Sequence, residues 1–216
     1  MKKCILFTDI KGSSCLFKNH PKQMLKALRS HNSQIRGSCR KYSGFIIKTI
    51  GDAYMIRFNN IYDAIDFSIR LCQLQVEKPI TVTKHDKINI RIGMCYGTVN
   101  QRRIMIQKKS LLDYFGPTVN IASRMESKVS QVGGFAFCIN SDKKHNPKIL
   151  NYLNDNNLKI EMTYFIDDLN CKENLKRSER LFSAEQIHGY KCKGKDAEIL
   201  KGVGGDIITY ECQLNM

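Results

Sequence analysis

The stretch IKTIGDAYMIRF, residues 47–58, places a Gly-Asp pair between two runs that alternate like β-strands. This pattern predicts a hairpin in which FIIKT and AYMIRF flank the turn Ile50-Gly51-Asp52. An aspartate in a hairpin turn is usually explained by turn chemistry alone. An earlier apolar run, CILFTDI, also finishes at an aspartate, Asp9. The spatial relation between these two acids decides which chemistry the chain can support.

Outward from the hairpin, strand and helix patterns alternate. Residues 3–10 predict a buried strand followed by a polar turn, KGSS, and a helix starts at Pro21 and stops near Gly44. A second helix follows the hairpin, and KINIRIGMCYGTV predicts a strand ending at Gly97. The predicted fold class is therefore α+β, with a ferredoxin-like βαββαβ core whose two helices cover one face of an antiparallel sheet.

That topology makes the two acids neighbours. The first strand of such a sheet lies beside the strand that follows the hairpin turn, so Asp9 approaches Asp52. Two carboxylates at one place repel each other unless a cation sits between them, and oxygen ligands suit Mg²⁺ or Mn²⁺. The alternative is that Asp52 only favours its turn and Asp9 only ends a strand.

The remaining chain extends this core. In SLLDYFGPTVNIASRMESKV, Gly116-Pro117 predicts a helix entry and residues 118–129 a helix with Asn120 and Arg124 on one face. GGFAFCI predicts a strand. The polar segment at about 141–184 is interpreted as an insertion with a short helix at NPKILNYL, and IHGYKCKG and DIITYECQL predict additional C-terminal strands. We expect one domain over residues 1–216.

Charge is concentrated in one part of the chain. The net charge is +15, and residues 1–140 alone hold 23 Lys and Arg against 8 Asp and Glu. Such a field attracts polyanions: nucleic acid, an acidic membrane surface or a nucleoside triphosphate. Charge alone does not choose among these three, and a solvated surface without a partner is the commonest explanation.

Cysteine spacing and apolar runs exclude several classes of protein. Nine cysteines without a C-x-x-C pair argue against a zinc ribbon or a disulfide scaffold and indicate free thiols. No apolar run approaches the roughly 20 residues that cross a bilayer. We therefore expect a soluble, cytoplasmic domain, either independent or part of a larger membrane-bound or sensor protein.

Four blocks together carry a family resemblance: FTDIKGSS, KTIGDAYM, DYFGPTVNIASRMES and LKGVGGDIITY. In order and approximate spacing they resemble the catalytic domains of class III nucleotidyl cyclases, the adenylyl and guanylyl cyclase family. The third block is the most specific, since a Gly, an Asn and an Arg stand within one helical apolar pattern. The resemblance covers nearly the whole chain.

The resemblance implies a role for particular residues. Asp9 and Asp52, with the Ile10 carbonyl close by, are similar to the family's ligands for two divalent cations, Mg²⁺ or Mn²⁺. Lys48 and Asp113 resemble the adenine-selecting form of the pair that reads the purine. The remaining matches are Asn120 for orienting the ribose, Arg124 for stabilising the phosphate under attack, and Lys201 for gripping the outer phosphates.

The implied reaction is attack of the ribose 3′ oxygen of ATP on its α-phosphorus, giving 3′,5′-cyclic AMP and pyrophosphate. The family forms its sites between two catalytic domains. Because both halves of the residue set are present here, a head-to-tail homodimer with two equivalent sites is expected. The resemblance implies no nucleic-acid partner, and membrane contact only through segments outside this chain.

Several alternatives remain at this stage. A cyclase with GTP or pyrimidine preference is one, and a homologue that binds nucleotide without turnover is another. From a different class, an RNA-binding module is suggested because GGFAFCI and CILFTDI loosely resemble the two RNA-contacting motifs of an RRM. Residues 98–112, TVNQRRIMIQKKSLL, lack the glycine-rich turn of many cyclases and predict a divergent loop that faces the partner.

Overall fold

The computed structural model describes residues 1–106, 108–140, 147–166, 189–194 and 207–215. The strands within these ranges are β1 (Lys2–Ile10), β2 (Phe45–Ile50), β3 (Ala53–Phe58), β4 (Ile90–Thr98), β5 (Asn100–Ile106), β6 (Lys109–Phe115), β7 (Gly134–Ile139), β8 (Leu158–Ile166), β9 (Gly189–Gly194) and β10 (Ile207–Leu214). The helices are α1 (Ser13–Asn19), α2 (Pro21–Lys41), α3 (Ile61–Glu77), α4 (Pro117–Arg124) and α5 (Pro147–Asp155), and a π-helical segment, Met125–Val129, continues α4.

The central sheet confirms the predicted α+β, ferredoxin-like core. Its strand order is β2-β3-β1-β4-β7-β10-β8-β9, and the first four strands have the order of a ferredoxin-like βαββαβ unit. β1 pairs antiparallel with both β3 and β4, with Thr8 opposite Tyr54. The carboxyl end of β1 therefore lies beside the β2–β3 turn.

Alternation along the strands divides the core into two layers. Leu6, Ile56 and Ile92 point toward α2 and α3, whose apolar faces they bury. Ile5 and Met55 point to the opposite face, where they pack against α4. The sheet thus carries the two long helices on one face and the short α4 on the other.

Helix α3 shows why these segments adopt their structures. Asn60 caps its start by accepting a hydrogen bond from the Asp63 amide at 2.8 Å. One face of α3 carries residues spaced at a helical period, and all of them are buried: Ile61, Ala64, Ile65, Ser68, Ile69 and Cys72. Burial of that stripe supplies most of the helix's stability, since propensity alone is a weak determinant.

Two local predictions are wrong, and one is confirmed. Helix α1 begins within the segment interpreted as a polar turn. Helix α2 ends at Lys41, near the predicted stop at Gly44, and a Cβ on Gly44 would lie 2.8 Å from the Phe58 ring. Residues 98–112 do not form a loop, since β5 and β6 pair as a separate two-stranded ribbon.

The segment interpreted as an insertion is only partly one. Helix α5 confirms the short helix predicted at NPKILNYL. Strand β8, however, pairs with β10 along eight successive positions inside the central sheet. The alternation of Leu158, Ile160 and Met162 with Lys159 and Glu161 was a usable strand signal, but it lies within a polar segment, and the partner strand comes 40 residues later in the chain.

Cysteines and apolar segments match the sequence expectations where the structure describes them. The cysteines with described side chains are free thiols: Cys4, Cys15, Cys39, Cys72, Cys95, Cys138 and Cys212. Within the described residues, no helix combines the length and the apolar character needed to cross a bilayer.

Gly93 sets how closely α4 approaches the sheet. A Cβ on Gly93 would lie 1.8 Å from the backbone nitrogen of Glu126, at the start of the π-helical segment. No rotamer change relieves a clash with backbone. We expect Gly93→Ala to lower the free energy of unfolding by about 3 kcal/mol or more, measured by urea denaturation.

Gly37 provides the matched control, because it lies within α2 and a Cβ there meets nothing within 4 Å. Gly37→Ala should raise the free energy of unfolding by up to about 1 kcal/mol. Equal stability of Gly93→Ala and the unsubstituted protein would contradict this packing.

Candidate active site

The two aspartates lie at one edge of the sheet, as the topology requires. Asp9 is the last residue but one of β1, and Asp52 lies in the β2–β3 turn, where Gly51 takes a φ of 64°. Both carboxylates act electrostatically on the same third carboxyl, that of Glu126. The structure therefore brings together two residues that are 43 positions apart in the chain.

Asp52 is incompletely satisfied. Its Oδ1 accepts a hydrogen bond from the Ser13 hydroxyl at 3.3 Å, and its Oδ2 is buried without a hydrogen-bond partner among the described residues. A buried carboxylate oxygen without a partner is costly unless a cation or water completes it. This atom fits the role of a metal ligand.

The donor set around the aspartates fits a hard divalent cation. No group of three or more His, Cys, Asp or Glu side chains that could hold a metal exists in the described part of the chain. An ion here would therefore take few protein ligands and complete its shell with water and substrate phosphates, as Mg²⁺ does. Ile10, whose carbonyl is the predicted third ligand, ends β1 directly after Asp9.

Arg91 is the cation that the structure places beside Asp9. Its Nη2 donates to Asp9 Oδ2 at 2.8 Å and lies 3.1 Å from Glu126 Oε1. Arg91 thus joins β1 to the π-helical segment that follows α4. Sequence reasoning missed it, although a charged residue between Ile90 and Ile92 in a buried strand was a usable signal.

Glu126 completes this three-residue network. Burial raises the pKa of the Glu126 carboxyl to about 7, Arg91 opposes the rise, and Asp9 and Asp52 add to it. Glu126 is two positions from Arg124 in the chain, but its ion pair is with Arg91.

The raised pKa of Glu126 makes stability depend on pH. The folded protein holds a proton on Glu126 that the unfolded chain releases, so stability is lost as pH rises from about 4.5 to about 7. We expect metal-free protein to lose up to about 3 kcal/mol of unfolding free energy between roughly pH 5 and pH 8 through this group.

Urea denaturation across that pH range measures the loss of unfolding free energy. The Glu126→Gln variant has no titrating carboxyl at this position and should not show that loss. The control is Glu77→Gln, which removes an exposed carboxylate paired with Arg70 on α3. It should keep the pH dependence of the unsubstituted protein. If Glu126→Gln kept it too, the titrating group would lie elsewhere.

Helix α4 carries the other two predicted catalytic side chains. Pro117 occupies its first turn, Ile121 and Ala122 are buried against the sheet, and Asn120 is exposed. Arg124 is half-buried, and its Nη1 is enclosed without a hydrogen-bond partner among the described residues. The predicted helix over 118–129 is present, but its second half is the π-helical segment.

Within the described residues, no hydrogen bond or ion pair joins Asn120 or Arg124 to Asp9 or Asp52. The side chains on α4 and the aspartates form two separate half-sites on one chain. Each half-site has a polar atom that is buried and unpartnered, Asp52 Oδ2 in one and Arg124 Nη1 in the other.

Lys48 and Asp113 meet although they belong to different sheets. Lys48 Nζ lies 2.5 Å from Asp113 Oδ2, and Asp113 Oδ1 accepts a hydrogen bond from the Tyr114 amide at 2.8 Å. A bulge between Ile46 and Lys48 in β2 displaces the register there. The Asp113 side chain is 12% exposed and that of Lys48 42%, so the pair borders solvent. Lys201, the remaining predicted site residue, lies outside the described residues.

The strands that resembled RNA-contacting motifs do not form an RRM surface. β4 separates β1 from β7, so the two motifs are not on neighbouring strands. Phe135 and Phe137 of β7 are 2% and 0% exposed and cannot stack on bases.

Comparisons with known proteins agree with this geometry. Residues 2–133 match the family model of the adenylate and guanylate cyclase catalytic domain. A curated adenylate cyclase of Schizosaccharomyces pombe is 30% identical over 181 residues, which is 75% of this chain and 10% of that protein. The chain therefore spans about a tenth of the length of that relative.

Solved structures extend the likeness of fold beyond the matched family model. Adenylate cyclases of Trypanosoma brucei in their monomeric state superpose with a TM-score of 0.65 at 18% identity, covering 98% of this chain and 89% of theirs. The guanylate cyclase domain of RhGC from Catenaria anguillulae, in complex with GTP, gives a TM-score of 0.65 at 19% identity, covering 100% and 97% of the two chains.

Proposed function

The chain belongs to the family of adenylate and guanylate cyclase catalytic domains, and from that premise we propose that it is an adenylate cyclase. It converts ATP to 3′,5′-cyclic AMP and pyrophosphate at the interface of a homodimer. The observation that carries the proposal is the approach of Asp9 and Asp52 at one edge of the sheet, with one buried carboxylate oxygen left unsatisfied.

Lys48 and Asp113 account for the choice of base. Adenine offers a ring nitrogen that accepts a hydrogen bond and an exocyclic amine that donates one. One N–H of the Lys48 ammonium donates to Asp113, and its other N–H groups remain available. The Asp113 carboxylate also has lone pairs left to accept further hydrogen bonds. The pair therefore reads both groups of adenine while staying joined, and its mutual charge neutralisation lowers the cost of burying Asp113.

Asp9, Asp52 and the Ile10 carbonyl would hold two divalent cations, Mg²⁺ or Mn²⁺. Such ions make an attacking hydroxyl more acidic and neutralise charge on phosphate oxygens. Arg91 engages Asp9 through Oδ2, so a cation would use Asp9 Oδ1 or displace Arg91, which also lies beside Glu126.

Asn120 and Arg124 act on the sugar and the reacting phosphate. The exposed amide of Asn120 orients the ribose, so that the 3′ oxygen faces the α-phosphorus. Arg124 donates to the oxygens that gain charge during attack, and its enclosed, unpartnered Nη1 is a donor held ready for such an anion. Lys201 would hold the β- and γ-phosphates, which depart together as pyrophosphate when the 3′ oxygen attacks the α-phosphorus.

Exposed apolar side chains near Lys48 and Asp113 support the homodimer. They lie on β2 and on strand β6 of the β5–β6 ribbon: Phe45, Ile50, Leu111 and Phe115. An exposed apolar patch of this kind marks an association surface. A second copy covering it in head-to-tail orientation joins the aspartates of one chain to the α4 residues of the other.

The test is a product assay with purified protein, Mn²⁺ and each of the four nucleoside triphosphates in turn. We expect cyclic AMP from ATP and at least about 10-fold less product from GTP, CTP or UTP, since one mismatched hydrogen-bonding pair costs more than 1 kcal/mol. If cyclic GMP or a cyclic pyrimidine nucleotide were the main product, the cyclase activity would be supported, but the assignment of adenine as the preferred base would be overturned. Nucleotide binding without any cyclic product would overturn the activity.

A further inference from the structure

A second charged feature lies away from the candidate site. Between Asp9 and Asp52 the chain has 42 residues, with nine Lys and Arg and no Asp or Glu. Six of these nine belong to α2: Lys22, Lys26, Arg29, Arg36, Arg40 and Lys41. A long surface helix normally mixes both signs of charge along its exposed face.

Five of the six form a straight row that we name the basic stripe: Lys22, Lys26, Arg29, Arg36 and Arg40. Relative to the first they stand at +4, +7, +14 and +18, which places all five within an arc of about 80° on a helix of 3.6 residues per turn. All five are exposed, and the opposite side of α2, including Met24, Ala27 and Ile35, is buried. At 1.5 Å per residue the stripe is about 27 Å long.

The stripe is not neutralised by the described part of the chain. No carboxylate described in the structure lies within 4.0 Å of a charged nitrogen of these five side chains. An open groove of about 420 Å³ is lined by Arg29, Asn32, Ser33, Arg36 and Arg40, and Arg36 also bonds the Tyr54 hydroxyl. Guanidinium, amide and hydroxyl donors around one groove suit phosphate oxygens.

The position of α2 separates the stripe from the candidate active site. α2 covers one face of the sheet, with Met24 and Ile35 in its core, whereas Ile121 and Met125 lie in the core of the other face. A large planar partner can therefore contact the stripe while α4 stays accessible to the other subunit and to nucleotide.

We propose that the basic stripe docks the domain on a bilayer that contains anionic phospholipids. A flat anionic surface meets all five cations of a straight row at once, whereas the phosphates of a nucleic acid follow curved paths. Leu25, 55% exposed beside Lys22 and Lys26, adds an apolar side chain that enters the headgroup region. The one aromatic ring on α2, His31, is fully buried and is not accessible for base stacking. This docking revises the expectation that membrane contact lies only outside this chain.

Sedimentation with vesicles of phosphatidylcholine alone or with 30% phosphatidylserine, about the content that gives a negative surface potential, measures the docking. The full chain should bind the anionic vesicles, and binding should fall as salt is raised. Each basic residue near such a surface contributes a factor of about five, so Lys26→Gln/Arg29→Gln should bind about 25-fold more weakly.

The matched control is Lys108→Gln/Lys128→Gln, which removes the same charge from exposed positions on the β5–β6 turn and the π-helical segment. It should bind like the unsubstituted chain, and thermal unfolding should show that both variants are folded. Equal weakening of both variants, or equal binding to phosphatidylcholine alone, would overturn the proposal. So would binding to duplex DNA or to free inositol phosphates without binding to anionic vesicles. None of these outcomes depends on cyclase activity.

Discussion

We expect Asp52→Asn to lower kcat for cyclic AMP formation by about 10³-fold or more, because the proposed cations stabilise phosphate charge by several kcal/mol. The substitution keeps the shape of the side chain and removes the charge that would hold a divalent cation. Asp52 Oδ2 is buried and unpartnered, so removing the charge also relieves a cost in the metal-free protein. Activity and stability therefore change in opposite directions.

Two measurements separate this effect from simple misfolding. Thermal unfolding without metal should show Asp52→Asn at least as stable as the unsubstituted protein, and added Mn²⁺ should stabilise only the latter. Asp155→Asn, at the exposed end of α5, is the matched control and should change neither quantity. Full activity in Asp52→Asn would show that the aspartates only shape the turn and the strand end.

Arg124→Ala is the second large effect, with kcat expected to fall by about 10³-fold and KM for ATP to change little. In the proposed reaction the guanidinium stabilises charge that develops during attack, so its loss should raise the barrier more than it weakens binding. Lys128→Ala, one turn further along the same helical run and exposed, is the control and should keep full activity. A rise in KM with unchanged kcat would instead assign Arg124 to ground-state binding.

The sequence was sufficient to predict the parts of the site that depend on local pattern. Alternation around Gly51-Asp52 predicted the hairpin, and the ferredoxin-like order then placed Asp9 next to it. The same reasoning could not find the link between Arg91 and Glu126. That link exists because Gly93 lets the π-helical segment touch β4, a close approach between distant segments that no periodicity records.

The β5–β6 ribbon and β8 were missed for a different reason. The turn between β5 and β6 has no glycine, and Lys108 takes the positive φ of 65° that such a turn needs. Strand β8 does alternate apolar and polar residues, but it lies within a polar segment, and its partner β10 comes later in the chain. In the β5–β6 ribbon, pairing between segments overrode the local signal.

The division of the site between two subunits is tested most directly by mixing two inactive variants. In the proposed homodimer Asp52→Asn removes one half-site and Arg124→Ala the other, so neither variant alone should turn over. After equimolar mixing and exchange, half of the dimers are mixed, and each of these contains one intact site. Cyclic AMP formation should therefore return to roughly one quarter of the unsubstituted rate. A mixture that stays as inactive as its components would show that each chain has to supply both halves of its own site, and would contradict the proposed assembly.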